Sequence, residues 1–290
     1  MNKKDYVPAK GYTTAALFYQ KSSKDYVPMT DGAELLVLNS QTDTPSESIN
    51  LVFIPGFSTG PFSWNDLWDC LYKDYNLFVV EKRELLSSKI KWKHKANMNR
   101  LAEDIENIVD YFKLDSQRTV LMGTCLGSSL IARVMARKNN TFFGLILMNP
   151  PRRFFLPTAL LPLGYILPSF TMTIIVKPII RTWLKMTMES SPQRDLYMEI
   201  IANAHGMRWK KFLAITRWDS FDDYAQIKCP TCVLGASEDR VHEDAIAREV
   251  ASLIEGSEFI ESPSYYWMHF HPGAGEYAAE VSKFIKKLEK

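Results

Sequence analysis

The chain has 290 residues, of which 46% are hydrophobic and 23% charged, and its formal net charge is +2. So much apolar sequence can bury a large core, which excludes global disorder, and so small a net charge gives no electrostatic basis for nucleic-acid binding. Four cysteines, at positions 70, 125, 229 and 232, form no disulfide framework, and Cys229-Pro230-Thr231-Cys232 lacks the second ligand pair of a structural zinc site, so neither metal nor cofactor is expected.

The opening MNKKDYVPAK is charged and has no apolar run of the secretory kind, so a cytoplasmic location is expected. The pentapeptide KDYVP stands at 4–8 and again at 24–28, too few copies for a repeat architecture. The second copy leads into a strand pair turning at Asp31-Gly32, with 34–39 as the next strand and 42–48 as a surface loop. A strand–helix alternation then sets in: strand 49–54, helix 64–72, strand 76–81, helix 98–112, strand 118–123, helix 126–138 and strand 144–149. The helix at 98–112 carries Leu101, Ile105, Ile108, Val109 and Phe112 on one face. Before it, Lys89, Lys91, Lys93, His94 and Lys95 form a local basic cluster, read as a solvated loop face with an anion patch as the alternative. The rhythm stops after 150 and resumes with strand 231–236, helix 243–254, strand 258–261 and a closing helix over 276–288. Such alternation predicts an α/β fold with a mostly parallel, helix-flanked sheet. Residues 1–29 read as an N-terminal extension, 30–150 and 220–290 as the core, and 151–219 as an inserted, mainly helical cap above the carboxyl ends of the strands.

Within the insertion, 154–176 is 23 residues without a charge, long enough to span a bilayer. Pro157, Pro162 and Pro168, with Gly164, interrupt any continuous helix there. The expectation is a greasy lid whose Leu160, Leu163, Leu167 and Phe170 line a substrate pocket; packing on the sheet alone, and peripheral contact with a membrane surface through 154–176, stay open.

Gly123-Thr124-Cys125-Leu126-Gly127 joins strand 118–123 to helix 126–138. A residue at so sharp a junction takes strained backbone angles and stands up from the sheet, and its neighbours two positions away must be small where the helix returns against the strand. The positive end of the following helix favours a thiolate, so position 125 suits a nucleophile.

This arrangement resembles the nucleophile elbow of the α/β-hydrolase superfamily, with cysteine in place of the more usual serine, over a similarity running from about residue 30 to 288. The resemblance implies a relay in the chain order nucleophile, acid, histidine. Asp239 follows strand 231–236 where the family's acid emerges, with Glu238 as its neighbour and rival; His269 stands before the last helix, with His271 as its rival. The oxyanion donors implied are the backbone N–H groups of Leu126 and of Phe57 in IPGFSTG. Two departures stand out. Pro55-Gly56 replaces the usual His-Gly, and EKRELLSS at 81–88 replaces Asp-x-Arg-Gly-x-Gly-x-Ser, keeping Arg83 and a closing serine but neither glycine. The function implied is cleavage of an ester or thioester of an apolar acyl group through an acyl-thioester on Cys125. Acyl transfer by the same triad is the alternative, and a non-catalytic small-molecule binder the rival from another class. Oligomeric state is not readable from the sequence.

Overall fold

The computed structural model describes residues 17–138, 141–153, 161–237 and 244–290. Eight strands form one sheet in the order β1-β2-β4-β3-β5-β6-β7-β8. They are β1 (Ser23–Pro28), β2 (Glu34–Ser40), β3 (Asn50–Ile54), β4 (Asn76–Glu81), β5 (Thr119–Thr124), β6 (Gly144–Met148), β7 (Thr231–Ala236) and β8 (Glu258–Ser262). Pairings β1–β2 and β2–β4 are antiparallel, and all the others are parallel. This is the mostly parallel α/β sheet that the alternation predicts, and the second KDYVP is its antiparallel edge strand.

The period-2 alternation of side chains divides the core between the two faces of the sheet. Val52, Ile54, Phe78, Leu121 and Val233 turn to one face. There they meet α3 (Met98–Tyr111), α4 (Leu126–Lys138) and α11 (Asp244–Leu253) through Leu101, Leu130 and Val250. Leu51, Phe53, Leu77, Val120 and Met122 turn to the other, against Trp68 of α2 (Asn65–Leu71) and Phe284 of α13 (Gly273–Leu288). A short α1 (Leu17–Lys21) adds Phe18 to that second face. Helix α3 starts where Asn97 accepts the Arg100 N–H, the local reason for its boundary.

Two boundaries differ from expectation. The stretch 64–72 divides into a 3₁₀ turn (Pro61–Trp64) and α2. The last helix begins three residues earlier, at Gly273, where a Cβ would come within 2.2 Å of the Trp267 carbonyl oxygen, so the glycine serves a close approach and not a break. The basic cluster is a surface loop in which Lys91, Lys93 and Lys95 are exposed and Lys89 pairs with Glu34, while His94 is buried and its Nδ1 accepts the Lys91 N–H.

Between β6 and β7 the described residues from 161 on are mainly helical. After α5 (Leu161–Ile166) comes a break at Pro168, which has no N–H to continue the ladder. Then follow α6 (Ser169–Thr171), a π turn (Met172–Val176), α7 (Lys177–Thr187), α8 (Pro192–Asn203), α9 (Gly206–Lys211) and α10 (Phe221–Tyr224). Among the described residues no helix is long and apolar enough to cross a membrane.

Charge is buried at one place beside the sheet. Arg83, wholly enclosed, donates from Nε and Nη2 to Asp104 of α3 (2.5 and 2.6 Å) and from Nη1 and Nη2 to Asp31 of the β1–β2 turn (2.7 and 3.1 Å). Burial pushes the Asp31 carboxyl up, but hydrogen bonds from Arg83 and the Ala33 N–H outweigh it and bring the group from its ordinary 3.8 to about 2. A carboxylate depressed on folding contributes stability that is complete above its unfolded value and vanishes as pH falls through its folded one. Acid unfolding followed by circular dichroism should therefore lose a component between about pH 4 and pH 2 in Asp31→Asn, leaving a shallower dependence than in the parent chain.

Candidate active site

Cys125 sits at the tip between β5 and α4 with φ +49°, in the left-handed region that costs a non-glycine residue about 1–2 kcal/mol. The surroundings hold it there. Its N–H donates to the Met148 carbonyl at the end of β6 (2.9 Å), and its own carbonyl accepts from Ser128 and Ser129 N–H. Ser128 Oγ donates to Gly123 O (2.7 Å), closing the turn from behind. Gly127 lies against β3 so tightly that a Cβ would fall 1.9 Å from Ile54 O, which is why the helix can return directly over the strand. Leu126, the first residue of α4, is buried. Cys125 is half-buried, whereas Cys229 and Cys232 are buried at β7, where burial pushes both thiols up, Cys232 to about 12.

The loop after β3 runs beside this turn: a Cβ on Gly56 would lie 3.5 Å from that of Cys125. An ion pair that sequence reasoning missed holds the loop. Lys82, 3% exposed, donates through Nζ to the carbonyls of Pro55 and Gly56 (2.8 Å each) and pairs with Glu84 at 2.9 Å. The same Glu84 oxygen accepts the Ser58 N–H at 3.0 Å. Gly56 C=O and Phe57 N–H belong to one planar trans peptide and so point in opposite directions. With the carbonyl turned to Lys82, the Phe57 N–H faces away from Lys82. Ser58 has φ +57°, and its Oγ accepts from Trp209 Nε1 of α9. The Phe57 ring, half-buried, contacts Trp209 and Phe212 with centroids 5.4 and 5.2 Å away. Arg208 of α9 donates to the carbonyls of Arg83, Leu85 and Ser88, so the helical segment is stitched to the 81–88 loop. Glu84 stands where the resemblance leads one to expect glycine. An opposite charge two residues from Lys82 was the available signal.

His269 ends α12 (Tyr265–His269) and is 2% exposed. Its ring lies on Trp64, centroids 3.7 Å apart, and Trp64 rests on Phe53 of β3. Nδ1 makes a short hydrogen bond to the Ser63 carbonyl. A carbonyl only accepts, so Nδ1 carries the proton, and Nε2 is the basic nitrogen of the neutral ring. His271, by contrast, is exposed, with its backbone N–H on Asp66. Cys125 and His269 thus rest on one connection, that between β3 and α2: Gly56 adjoins the sulfur-bearing residue, and Ser63 and Trp64 adjoin the imidazole. Asp239, Glu238 and His242 lie outside the described residues.

Of the expected pocket-lining residues, Leu160 and the side chain of Leu163 also lie outside the described residues. Leu167 is half-buried, its carbonyl accepting from Lys210, and Phe170 is 60% exposed. A small cleft beside the elbow is lined by Met98, Leu126, Ser129, Pro151, Ile215 and Trp218, of which the sequence had singled out Leu126 alone, for its backbone N–H. Below it the buried Tyr224 shares a hydrogen bond with Ser129 (3.2 Å), and burial pushes its hydroxyl up. Among the described residues no group of three or more His, Cys, Asp or Glu is placed to hold a metal ion.

Comparison with known proteins bears on the fold. A search of the curated proteins finds no significant match. Among solved structures, the chain is similar to an enol-lactonase from Burkholderia xenovorans, at 17% identity and a TM-score of 0.75 over 90% of this chain and 100% of that one. It is also similar to a thermophilic esterase from Thermogutta terrifontis (18%, TM-score 0.73, 93% and 99% covered). A hydrolase from Pseudomonas aeruginosa gives 18% and 0.72 over 91% and 98%. At these identities the likeness is one of fold. The sequence model of the alpha/beta hydrolase family matches residues 51–279, from β3 into α13, and the chain belongs to that family.

Proposed function

We propose that this alpha/beta hydrolase cleaves esters or thioesters with Cys125 as nucleophile, His269 as general base and Asp239 as the acid that stabilises the imidazolium. The observation that carries the reading is the backbone of Cys125, held at φ +49° between β5 and α4 and beside Gly56. Strain of this kind persists only where the surroundings impose it, and it concentrates at functional positions. The family and its esterase and lactonase neighbours supply the class of bond.

In this reading Nε2 of His269 takes the proton from Cys125 and the sulfur attacks the carbonyl carbon. The Phe57 and Leu126 N–H groups hold the oxyanion. The tetrahedral species collapses, the C–O or C–S bond to the leaving group breaks, and His269 returns its proton to that group. Water, deprotonated by the same nitrogen, then attacks the acyl-thioester, releasing the acid and restoring the thiol. A thioester also reacts readily with amines and thiols, so the cysteine favours acyl transfer as the second reading. An apolar acyl group is the reading that the uncharged stretch 154–176 of the sequence supports.

The test is intact-mass analysis and turnover on p-nitrophenyl and coenzyme A esters. An acyl adduct that is lost with Cys125→Ala is expected; turnover undiminished in that variant overturns the mechanism. An adduct released by an added amine faster than by water marks transfer, and the absence of both adduct and turnover marks a binder. Because the Ser63 carbonyl already sets the tautomer, Asp239→Asn should cost only about 10–100-fold in kcat, less than the roughly 10⁴-fold that follows where the carboxylate alone sets it. His269→Ala should cost more than Asp239→Asn.

Lys82 and Glu84 act through the loop they hold. Lys82→Met leaves a buried carboxylate without its cation and should lower stability by about 3–5 kcal/mol in a denaturant titration. The double variant Lys82→Met, Glu84→Gln should regain much of that stability, yet keep a kcat reduced by about a hundredfold with KM little changed, because the Gly56–Phe57 peptide is no longer held.

A further inference from the structure

The helical segment between β6 and β7 carries an apolar face with no counterpart elsewhere among the described residues. Of the twelve large hydrophobic side chains exposed among the described residues, eight lie between Tyr165 and Met186. Ile166, Phe170, Ile174, Ile179, Trp183 and Met186 are each more than half exposed, Met186 81%. The other four, Leu17, Leu86, Trp92 and Tyr111, are spread over residues 17 to 111. On α7 the buried residue is Leu184, and at 100° per residue Ile179, Trp183 and Met186 fall on the arc away from it. The helix is also moored from its inner side, where Lys177 Nζ donates to the carbonyls of Ala202 and Ala204.

Charge in the part of this segment before Glu189 has one sign. From 151 to 188 the sequence holds Arg152, Arg153, Lys177, Arg181 and Lys185 and no carboxylate at all. Arg152 and Arg153 are engaged with Asp219, but Arg181 and Lys185 are exposed, one turn apart, on the side of α7 between the buried Leu184 and the apolar arc. Contiguous apolar surface of this extent is uncommon on soluble monomers and marks a contact site. Aliphatic side chains and a tryptophan, edged by basic residues on flexible stems and free of acids, match the interface of a lipid bilayer, where apolar groups sink below the headgroups and Lys and Arg reach anionic phosphates.

We infer that the face formed by α5 to α7, centred on Ile179, Trp183 and Met186 and flanked by Arg181 and Lys185, docks the protein on a membrane surface containing anionic phospholipid. The inference does not depend on the catalytic reading, and Cys125→Ala should bind as the parent does.

The test is co-sedimentation of the full chain with phosphatidylcholine vesicles, with and without phosphatidylglycerol. Binding to the anionic vesicles is expected, accompanied by a blue shift of tryptophan emission that disappears in Trp183→Leu. Ile179→Glu with Trp183→Glu should abolish sedimentation, and Arg181→Gln with Lys185→Gln should weaken it about thirtyfold. All these side chains are exposed, so far-ultraviolet circular dichroism should be unchanged. Absence of binding to anionic vesicles, or binding equal in the glutamate variant, overturns the inference. So does a dimer, seen by light scattering without lipid, that Ile179→Glu with Trp183→Glu dissociates, since the face would then be an interface between two copies.

Discussion

The closeness of α4 to the sheet constrains the rest of the site. With a glycine hydrogen of residue 127 directed at the Ile54 carbonyl, the helix axis has no freedom to lift, and the backbone at 125 must reverse within one residue. The cysteine therefore stands at the crest of the sheet because the elements on either side leave it no other course. The same close approach sets β3 beside the turn, so the chain leaving β3 passes within van der Waals reach of residue 125 before it does anything else. Both the sulfur-bearing residue and the imidazole are located relative to that single connection.

A layer of buried charge supports the connection from below. Lys82, Arg83 and Glu84 are consecutive, and all three are nearly inaccessible, yet each meets groups of the kind it needs: carbonyls and a carboxylate for Lys82, two carboxylates for Arg83, an ammonium and an amide for Glu84. Isolated charges would not survive such burial. Placed at the end of β4, they tie the turn before β2, helix α3 and the loop after β3 into one body. Arg208 extends that body to the inserted helices by occupying the carbonyls of the same stretch.

Much of this was legible in the chain. Short apolar runs separated by amphipathic ones carried the sheet and its covering helices, and the two glycines around Cys125 carried the elbow. What escaped were features that depend on partners distant in sequence. No pattern marked Lys82 and Glu84 as buried, because the carbonyls that Lys82 holds are 26 and 27 residues earlier and the amide that Glu84 accepts is 26 residues earlier. The last helix was expected only from 276, because only the fold brings Trp267 against Gly273. The hydrophobicity of 154–176 was plain, but composition is the same whether such a segment faces inward or outward. The outward face of its described part from Tyr165 onward, and the continuation of that face through Trp183 and Met186 of α7, emerge only once the helices are packed.

The carbonyl that holds the imidazole of His269 belongs to the main chain. Whatever side chain occupies position 63, the acceptor stays, so long as the 3₁₀ turn keeps its path. Ring orientation at this site is thereby insulated from most single-base changes in the codon of the residue that provides it, and only a shift of the peptide itself would undo it.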